Sequence, residues 1–402
     1  MYYNAPMSRK IAIVVQRYGL EINGGAEYHA RLIAEKLSKY FSIEVFTTTA
    51  HDYVTWDHHY EKEQEILNGI PVNRFRVAKP RDPQIFGRVQ NIVFHEEHSA
   101  GDELLWLEEE GPLVPELIRD LEKREREFAY FIFFSYRYYH SYFGVKRFAH
   151  KAILVPTAEH DQVIYLNLFK EFFSLPAAIV YNSWEEKDLI NRISGNAAVY
   201  GDVVGIGSEI PVQFDPESIC RSLAITGSYA VYIGRLDENK GVPELLHFYL
   251  RLLGEGKPVL DLLLIGKALI PIPDNPRIRH VGYLNNQEKF DLLKGAEFLI
   301  IPSQYESLSM VTLEAWAVSK PVLANGRTEV LRGQCRRSNA GLWYGNYDEF
   351  REAFLVLQEN GPLRERLGRN GEKYFIEHYA WDKIESKYLK IIADLDNKTA
   401  KN

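Results

Sequence analysis

The segment Glu306-Ser-Leu-Ser-Met-Val-Thr-Leu-Glu314 follows an apolar run ending at Pro302 and leads into a helical pattern. The first turn of a helix has backbone N–H groups without intrahelical acceptors, and the helix dipole presents positive charge there. Such a turn suits a phosphate. Glu314 lies about two turns further in at 3.6 residues per turn, where a carboxylate can accept hydrogen bonds from vicinal hydroxyls such as those of a ribose. Glu306, just ahead of the helix, is placed to reach the hydroxyls of a second sugar. The same residues also read as a buried strand and an amphipathic helix with two solvated glutamates. A second candidate is Gly234-Arg235-Leu-Asp237-Glu238-Asn-Lys240-Gly241, again between a strand pattern and a helix pattern. Arg235 can fork onto phosphate oxygens and Lys240 adds a point charge. Together they can neutralise a leaving diphosphate without a metal. The plain alternative pairs Arg235 with Asp237 or Glu238 and leaves Lys240 in water.

Other segments carry less. In Gly24-Gly25-Ala26-Glu27 the glycines let the backbone approach a ligand at a helix start. A loop–helix junction explains them equally well, and the G-x-G-x-x-G dinucleotide fingerprint is absent. His160, in Thr157-Ala-Glu159-His160-Asp161, follows a predicted strand and is placed for hydrogen bonding or proton transfer; a single His is more often structural. His95-Glu-Glu-His98 lacks the spacing of a zinc-protease pair. Asp394-Leu-Asp396 sits in a terminal helical pattern and reads as solvated charge. No G-x-S-x-G or P-loop motif occurs.

The elements that must position these residues alternate regularly. Strands are predicted at 10–15, 43–49, 72–77, 130–134, 152–156, 177–181 and 199–204, then at 229–234, 259–266, 277–281, 298–302 and 321–324. Helices are predicted between them, including 26–40, 113–127, 241–253, 286–293 and 308–318, and mostly helices follow. This is the α/β pattern of two parallel sheets covered by helices, with ligands expected at the carboxyl ends of the strands. The Gly-, Pro- and Ser-containing stretch Gly205–Pro216 is the linker candidate, and two facing domains would leave a deep cleft between them.

The 402 residues predict two domains, at about 150 residues each. A composition 46% hydrophobic and 26% charged fits a soluble globular chain. The net charge of −7 argues against a nucleic-acid protein. No apolar run approaches the ~18–20 residues of a membrane helix. Cys220 and Cys335 make no disulfide framework or zinc site, which fits a cytoplasmic location, and Met1–Arg9 has no apolar signal core. The aromatic segment Phe128–Phe148, with Arg137, Lys146 and Arg147, reads mainly as core, with sugar stacking or a membrane surface as the other uses.

The order and spacing of the four candidates say more than each alone. Gly24-Gly25-Ala-Glu27, His160-Asp161, Gly234-Arg235…Lys240-Gly241 and Glu306-x7-Glu314-Ala315, followed by Pro321-Val322 and Asn339-Ala-Gly341, resemble the retaining glycosyltransferases of family 4. The resemblance spans nearly the whole chain and is best over Val231–Ala324. It implies the GT-B fold, with two facing Rossmann-like, doubly wound domains and a deep interdomain cleft. The acceptor-side domain is then 1–207, the nucleotide-sugar domain 208–379, and 380–402 a C-terminal helix crossing back to the first domain. Carried over by position, Arg235 and Lys240 bind the diphosphate, backbone amides near Met310 and Val311 cap it, and Glu314 holds the ribose. Glu306 contacts the transferred sugar, His160 lies at the reaction centre, Tyr283 and Leu284 lie by the base, and Gly24 and Gly25 close on the phosphates and acceptor. Where the family often has Phe-Gly, this chain has Leu308-Ser309. The implied activity is metal-independent hexose transfer, with retention, from a nucleoside-diphosphate sugar, UDP-glucose being expected. The implied acceptor is a saccharide or lipid-linked saccharide in envelope or exopolysaccharide synthesis, with peripheral contact at the inner membrane face and no cofactor. A sugar-nucleotide epimerase of the same fold and a non-catalytic sugar-nucleotide binding module remain alternatives.

Overall fold

The computed structural model describes residues 9–256 and 259–399. Of Met1–Arg9, read as lacking an apolar signal core, residues 1–8 lie outside the described residues. Contacts divide the chain into two compact units. The first runs to Gly205 and takes in the chain from Glu385 onward; the second is Ile206–Ile384. The sequence reading set these boundaries at 207/208 and 379/380.

The first unit has a sheet of β1 (Lys10–Val14), β2 (Ser42–Thr48), β3 (Gln64–Leu67), β4 (Ile70–Phe75), β5 (Phe128–Phe134), β6 (Ala152–Val155), β7 (Ala178–Tyr181) and β8 (Gly201–Val203). Their order is β3-β4-β2-β1-β5-β6-β7-β8. The runs are apolar on both faces: in β5 every side chain but Ala129 is buried, as a parallel sheet covered on both sides requires. One feature departs from the expected all-parallel sheet. β3 pairs antiparallel with β4 through Asn68 and Gly69, both at positive φ, the backbone a tight hairpin turn needs. Its alternately exposed residues carry too little apolar signal to read as a strand.

The second unit has β9 (Tyr229–Ile233), β10 (Asp261–Ile265), β11 (Ile278–Gly282), β12 (Leu299–Ile301), β13 (Val322–Asn325) and β14 (Gly341–Tyr344). Their order is β11-β10-β9-β12-β13-β14, and every pairing is parallel. β14 lies in the stretch expected to be mostly helical.

Two sequence expectations change. The aromatic segment after β5 mostly fills the core: Tyr136, Tyr142 and Phe148 are buried, in a cluster that includes Phe169, Phe172 and Phe173. Lys146 and Arg147 alone of its basic residues are exposed. The Asp394–Asp396 pair, read as solvated, is a latch within the first unit. Asp396 accepts two hydrogen bonds from Arg9, at 2.6 and 2.7 Å, and one from the Tyr130 hydroxyl at 2.7 Å. Asp394 accepts from Tyr200. Further up the same helix (Trp381–Thr399), Glu385 accepts from Lys39 and Tyr40, each at 2.7 Å. Ile384, Tyr388, Ile391, Ile392 and Leu395 are all buried. The spacing of these apolar residues marks the helix, but the sequence holds no sign of the latch partners, up to 387 positions away.

The Gly205–Pro216 stretch starts tightly packed. A side chain at Gly207 would meet the Trp381 ring at 2.8 Å, and the Trp381 indole donates to the Ser208 carbonyl at 3.1 Å. Among the described residues no helix is long and apolar enough to cross a membrane.

Burial alone would raise the Asp396 carboxyl; the hydrogen bonds from Arg9 and Tyr130 outweigh it and hold the group below its ordinary range. Such a depressed group stabilises the fold above its unfolded pKa, and this stability is lost as pH falls through the folded pKa. Asp396→Asn is expected to cost about 1 kcal/mol at pH 7, or roughly 2–4 °C in the melting of the first unit. In calorimetric scans the gap between variant and wild type should close with acidification.

Candidate functional site

In the second unit the chain leaves β9 toward β10 on one side, while β12 pairs on the other. That is a topological switch point, where two loops diverge at the carboxyl ends of neighbouring strands and leave a crevice for ligand. The loops here are 234–241, after β9, and 302–309, after β12. They hold four of the residues singled out for phosphate and sugar chemistry: Arg235, Lys240, Glu306 and Ser309.

Backbone contacts fix the two loops. The Gly234 amide donates to the Ile265 carbonyl at 2.9 Å, and Leu236 donates to Lys267 at 2.9 Å. A Cβ at Gly266 (φ +136°) would lie 1.9 Å from the Gly234 carbonyl oxygen, so β9 and β10 end with backbones in direct apposition. Gly241 (φ +70°) brings the first loop onto the second, since a Cβ there would lie 2.2 Å from the Pro302 carbonyl oxygen. The Asn325 amide also donates to that oxygen at 3.1 Å, and Thr328 donates to the Ser303 carbonyl at 2.7 Å. Asp237 caps the turn by accepting from the Lys240 amide at 2.8 Å.

On this frame Lys240 Nζ lies 2.8 Å from Glu306 Oε1, and Arg235 Nη2 lies 3.0 Å from Asp237 Oδ2. The plain alternative for Arg235 is thus part of its environment, while Lys240 is partnered and only partly exposed, not solvated. The second loop enters the helix Met310–Ala317 at Ser309, whose φ of +66° is left-handed. Glycine takes that conformation without penalty, and serine does so at a cost. The left-handed backbone stands here with serine in it, at the position where the family often has glycine. Ser309 caps no amide of the helix with its side chain; its Oγ accepts from the buried Thr312 hydroxyl at 3.0 Å. Leu308 is buried, so its side chain anchors the loop. Met310 and Val311 stand in the first turn, half-buried.

Glu314 is buried one helix turn beyond them and is not solvated. Its Oε1 accepts from Lys289 Nζ at 2.7 Å. Lys289 was not legible in the sequence, being one charged residue among several in the helix Asn286–Gly295. That helix opens with a capping box between Asn285 and Glu288, directly after Tyr283 and Leu284. Tyr283 is 70% exposed, and Gly282, before it, has left-handed φ with open space around it.

The first unit holds Gly24, Gly25 and His160 at the ends of different strands. Its own switch point lies between β1 and β5, and Gly24 and Gly25 open the helix Gly25–Leu37 that follows β1. A Cβ at Gly24 would collide with the Glu27 carboxylate, which Arg17 holds at 2.6 Å, whereas Gly25 meets nothing within 4 Å. His160 follows β6 and is exposed, with Nε2 2.6 Å from the Tyr165 hydroxyl. Its neighbour Asp161 accepts from Arg137 at 3.0 Å. Also here is Glu186, 1% exposed, which the sequence did not flag. Burial pushes its carboxyl up to about 8, against the pull of the Asn182 and Ala158 amides that it accepts. Among the described residues no group of three His, Cys, Asp or Glu side chains stands where it could hold a metal ion.

Residues 222–374 match the family described as Glycosyl transferases group 1. The chain is 26% identical over 265 residues to the uncharacterized glycosyltransferase MJ1178 of Methanocaldococcus jannaschii, covering 57% of this chain and 72% of that protein. It spans between 39% and 57% of the length of other curated relatives it matches. Sucrose-phosphate synthase of Thermosynechococcus elongatus superposes with a TM-score of 0.71 at 14% identity, over 97% of this chain and all of that one. HepE of Anabaena, solved in complex with UDP-glucose, superposes with a TM-score of 0.66 at 15% identity, over 96% of this chain and 99% of that one. The fold is GT-B. Its second unit carries the glycosyl transferases group 1 match.

Gly241→Ala is expected to force the two loops apart, because left-handed φ and the Pro302 oxygen both exclude the methyl group. A destabilisation of about 2 kcal/mol or more is anticipated, measurable as a lower melting temperature of the second unit.

Proposed function

We propose that this protein is a retaining glycosyltransferase that moves a hexose from a nucleoside-diphosphate sugar, with UDP-glucose as the expected donor, to a hydroxyl of a saccharide or lipid-linked saccharide. The observation that carries this reading is the convergence of Arg235, Lys240, Glu306 and the Met310–Ala317 helix mouth on one switch point, within the stretch matching glycosyl transferases group 1. The solved HepE complex with UDP-glucose lends support to the choice of donor. An envelope or exopolysaccharide role is favoured by the capsular polysaccharide glycosyltransferase CapM of Staphylococcus aureus, a 23% identical relative over 49% of this chain and 57% of its own length. The protein would act in the cytoplasm, at the inner face of the membrane when its acceptor is lipid-linked.

Breaking the sugar–phosphate bond builds positive charge on the ring and negative charge on the diphosphate. Arg235, Lys240 and the amides of Met310 and Val311 answer the negative charge with fixed donors, which is electrostatic catalysis by a preorganised site. Lys240 and Glu306 stand 2.8 Å apart, so a donor for a phosphate oxygen and an acceptor for a sugar hydroxyl adjoin where those groups adjoin in the substrate. Glu314 takes the ribose hydroxyls, and Lys289 holds its carboxylate in place. Tyr283 and Leu284 border the base, while Gly25 leaves the first unit's backbone open to phosphate and acceptor beside Gly24, whose near space the Glu27 carboxylate fills. The departing phosphate oxygen takes the acceptor's proton on the face it leaves, which retains the anomeric configuration. His160 donates a hydrogen bond to the sugar at the reaction centre. No metal takes part in this scheme.

Calorimetry with UDP, GDP, ADP and TDP is expected to give heat with at least one, and silence with all four at millimolar concentration would overturn the reading. Arg235→Ala and Lys240→Ala are each expected to lower transfer by about 10²–10³-fold with the circular dichroism spectrum unchanged. Product analysis with and without acceptor separates transfer from epimerisation. Chelator should leave the rate unaltered.

A further inference from the structure

His160 sits on the short loop between β6 and Tyr165, and the groups that hold this loop have no part in the chemistry above. The loop leaves its strand at Thr157, which has left-handed φ (+50°), and β5 beside it ends at Ser135 with φ of +66°. The Thr157 hydroxyl donates to Ser135 Oγ at 3.0 Å, tying the two strained ends together. Left-handed non-glycine residues persist only where surrounding structure over-determines them.

Two ionisable side chains supply that constraint, from opposite sides in sequence. Glu186, two residues into the helix Trp184–Ser194, spends both carboxylate oxygens on backbone. Oε1 accepts from the Ala158 amide at 2.6 Å, and Oε2 accepts from the Asn182 amide. Arg137, just past β5, bridges two carboxylates: Nε donates to Glu110 Oε1 at 2.8 Å and Nη1 to Asp161 Oδ2 at 3.0 Å. Glu110 is itself buried and also paired with Arg81 at 2.8 Å. The residues two before and one after His160 are thus pinned. The imidazole is exposed, with Tyr165 at Nε2. A neutral ring that accepts the phenol proton at Nε2 carries its own proton on Nδ1.

We propose that Glu186 and Arg137 are positioning residues for His160, holding the loop so that Tyr165 fixes one tautomer and Nδ1–H is presented as the donor. This rests on the reading that His160 lies at the reaction centre, and it deepens that reading. A purely structural role would hold the strand ends without any bearing on the ring. Glutamine at 186 offers one acceptor oxygen and turns an NH2 toward the second amide, so it breaks one anchor at nearly constant volume. Lysine at 137 keeps the charge and loses the two-pronged bridge.

The test uses the full chain labelled with ¹⁵N, with the His160 ring resonances identified by their absence in His160→Ala. Long-range proton–nitrogen spectra should show His160 as the Nδ1–H tautomer in the wild type, and a mixture of tautomers in E186Q, R137K and Tyr165→Phe. In parallel, turnover of UDP-glucose should fall at least tenfold in kcat for E186Q and R137K, while the calorimetric Kd for UDP stays within twofold. E186Q combined with His160→Ala should be no slower than His160→Ala alone. The proposal is overturned if both single variants keep the wild-type ring spectrum, or if the loss in E186Q multiplies with that in His160→Ala. Should E186Q fail to fold, R137K decides by the same readouts. Wild-type turnover in His160→Ala, or no turnover of any nucleotide sugar, would remove the reaction-centre reading, and the ring spectra would still decide whether Glu186 and Arg137 hold the imidazole.

Discussion

The carbonyl oxygen of Pro302 leaves no room for a side chain at position 241, and the geometry of the 234–241 and 302–309 loops follows from that exclusion. Two loops from neighbouring strands can share a backbone surface only if one of them lacks a Cβ there. Gly241 makes the approach possible, and Gly266 does the same for Gly234. Once the backbones touch, the cations on the 234–241 loop and the carboxylate on the 302–309 loop have fixed spacing. The Lys240–Glu306 pair is a result of that backbone fit more than its cause, since a partly exposed ion pair contributes little by itself.

The first unit relies on a different device. Its strand ends are held by ionisable side chains turned inward: Arg17 on Glu27, Arg137 between Glu110 and Asp161, and Glu186 on two amides. Burying a charge is costly unless it is hydrogen-bonded and paired; the two arginines and their carboxylates meet that condition, while Glu186 is hydrogen-bonded without a cation and its carboxyl is pushed up accordingly. The latch of Asp394 and Asp396 on Tyr200, Arg9 and Tyr130 extends the same strategy to the terminal helix. Where the second unit uses missing side chains, the first uses satisfied ionisable ones.

This difference explains what the sequence made legible. Parallel strands buried on both faces, such as Phe128–Phe134 and Tyr229–Ile233, announce themselves as apolar runs. The loop after β9 was readable because glycine and charge cluster at a strand end, and the loop after β12 because Glu306 and Glu314 flank the start of a helix pattern. The antiparallel β3 was missed because an edge strand with alternately exposed residues looks like a loop. Lys289 and Glu186 were missed for a further reason: each sits among other charged residues on a helix, and only tertiary contact distinguishes the one that is engaged. The latch partners of Asp396 lie at the far end of the chain, where no local spacing rule reaches. Ser309 showed that residue identity and backbone conformation can part company, for a serine takes left-handed φ there.

That serine has a kinetic meaning. A chain rarely visits left-handed φ at serine when it is unrestrained, so the curve of the helix mouth must be set while the unit folds. On the proposed function, an incoming anion would meet amides already aligned, with little loop entropy left to remove. Association should consequently run close to the encounter rate, with affinity expressed mainly in how slowly the ligand leaves.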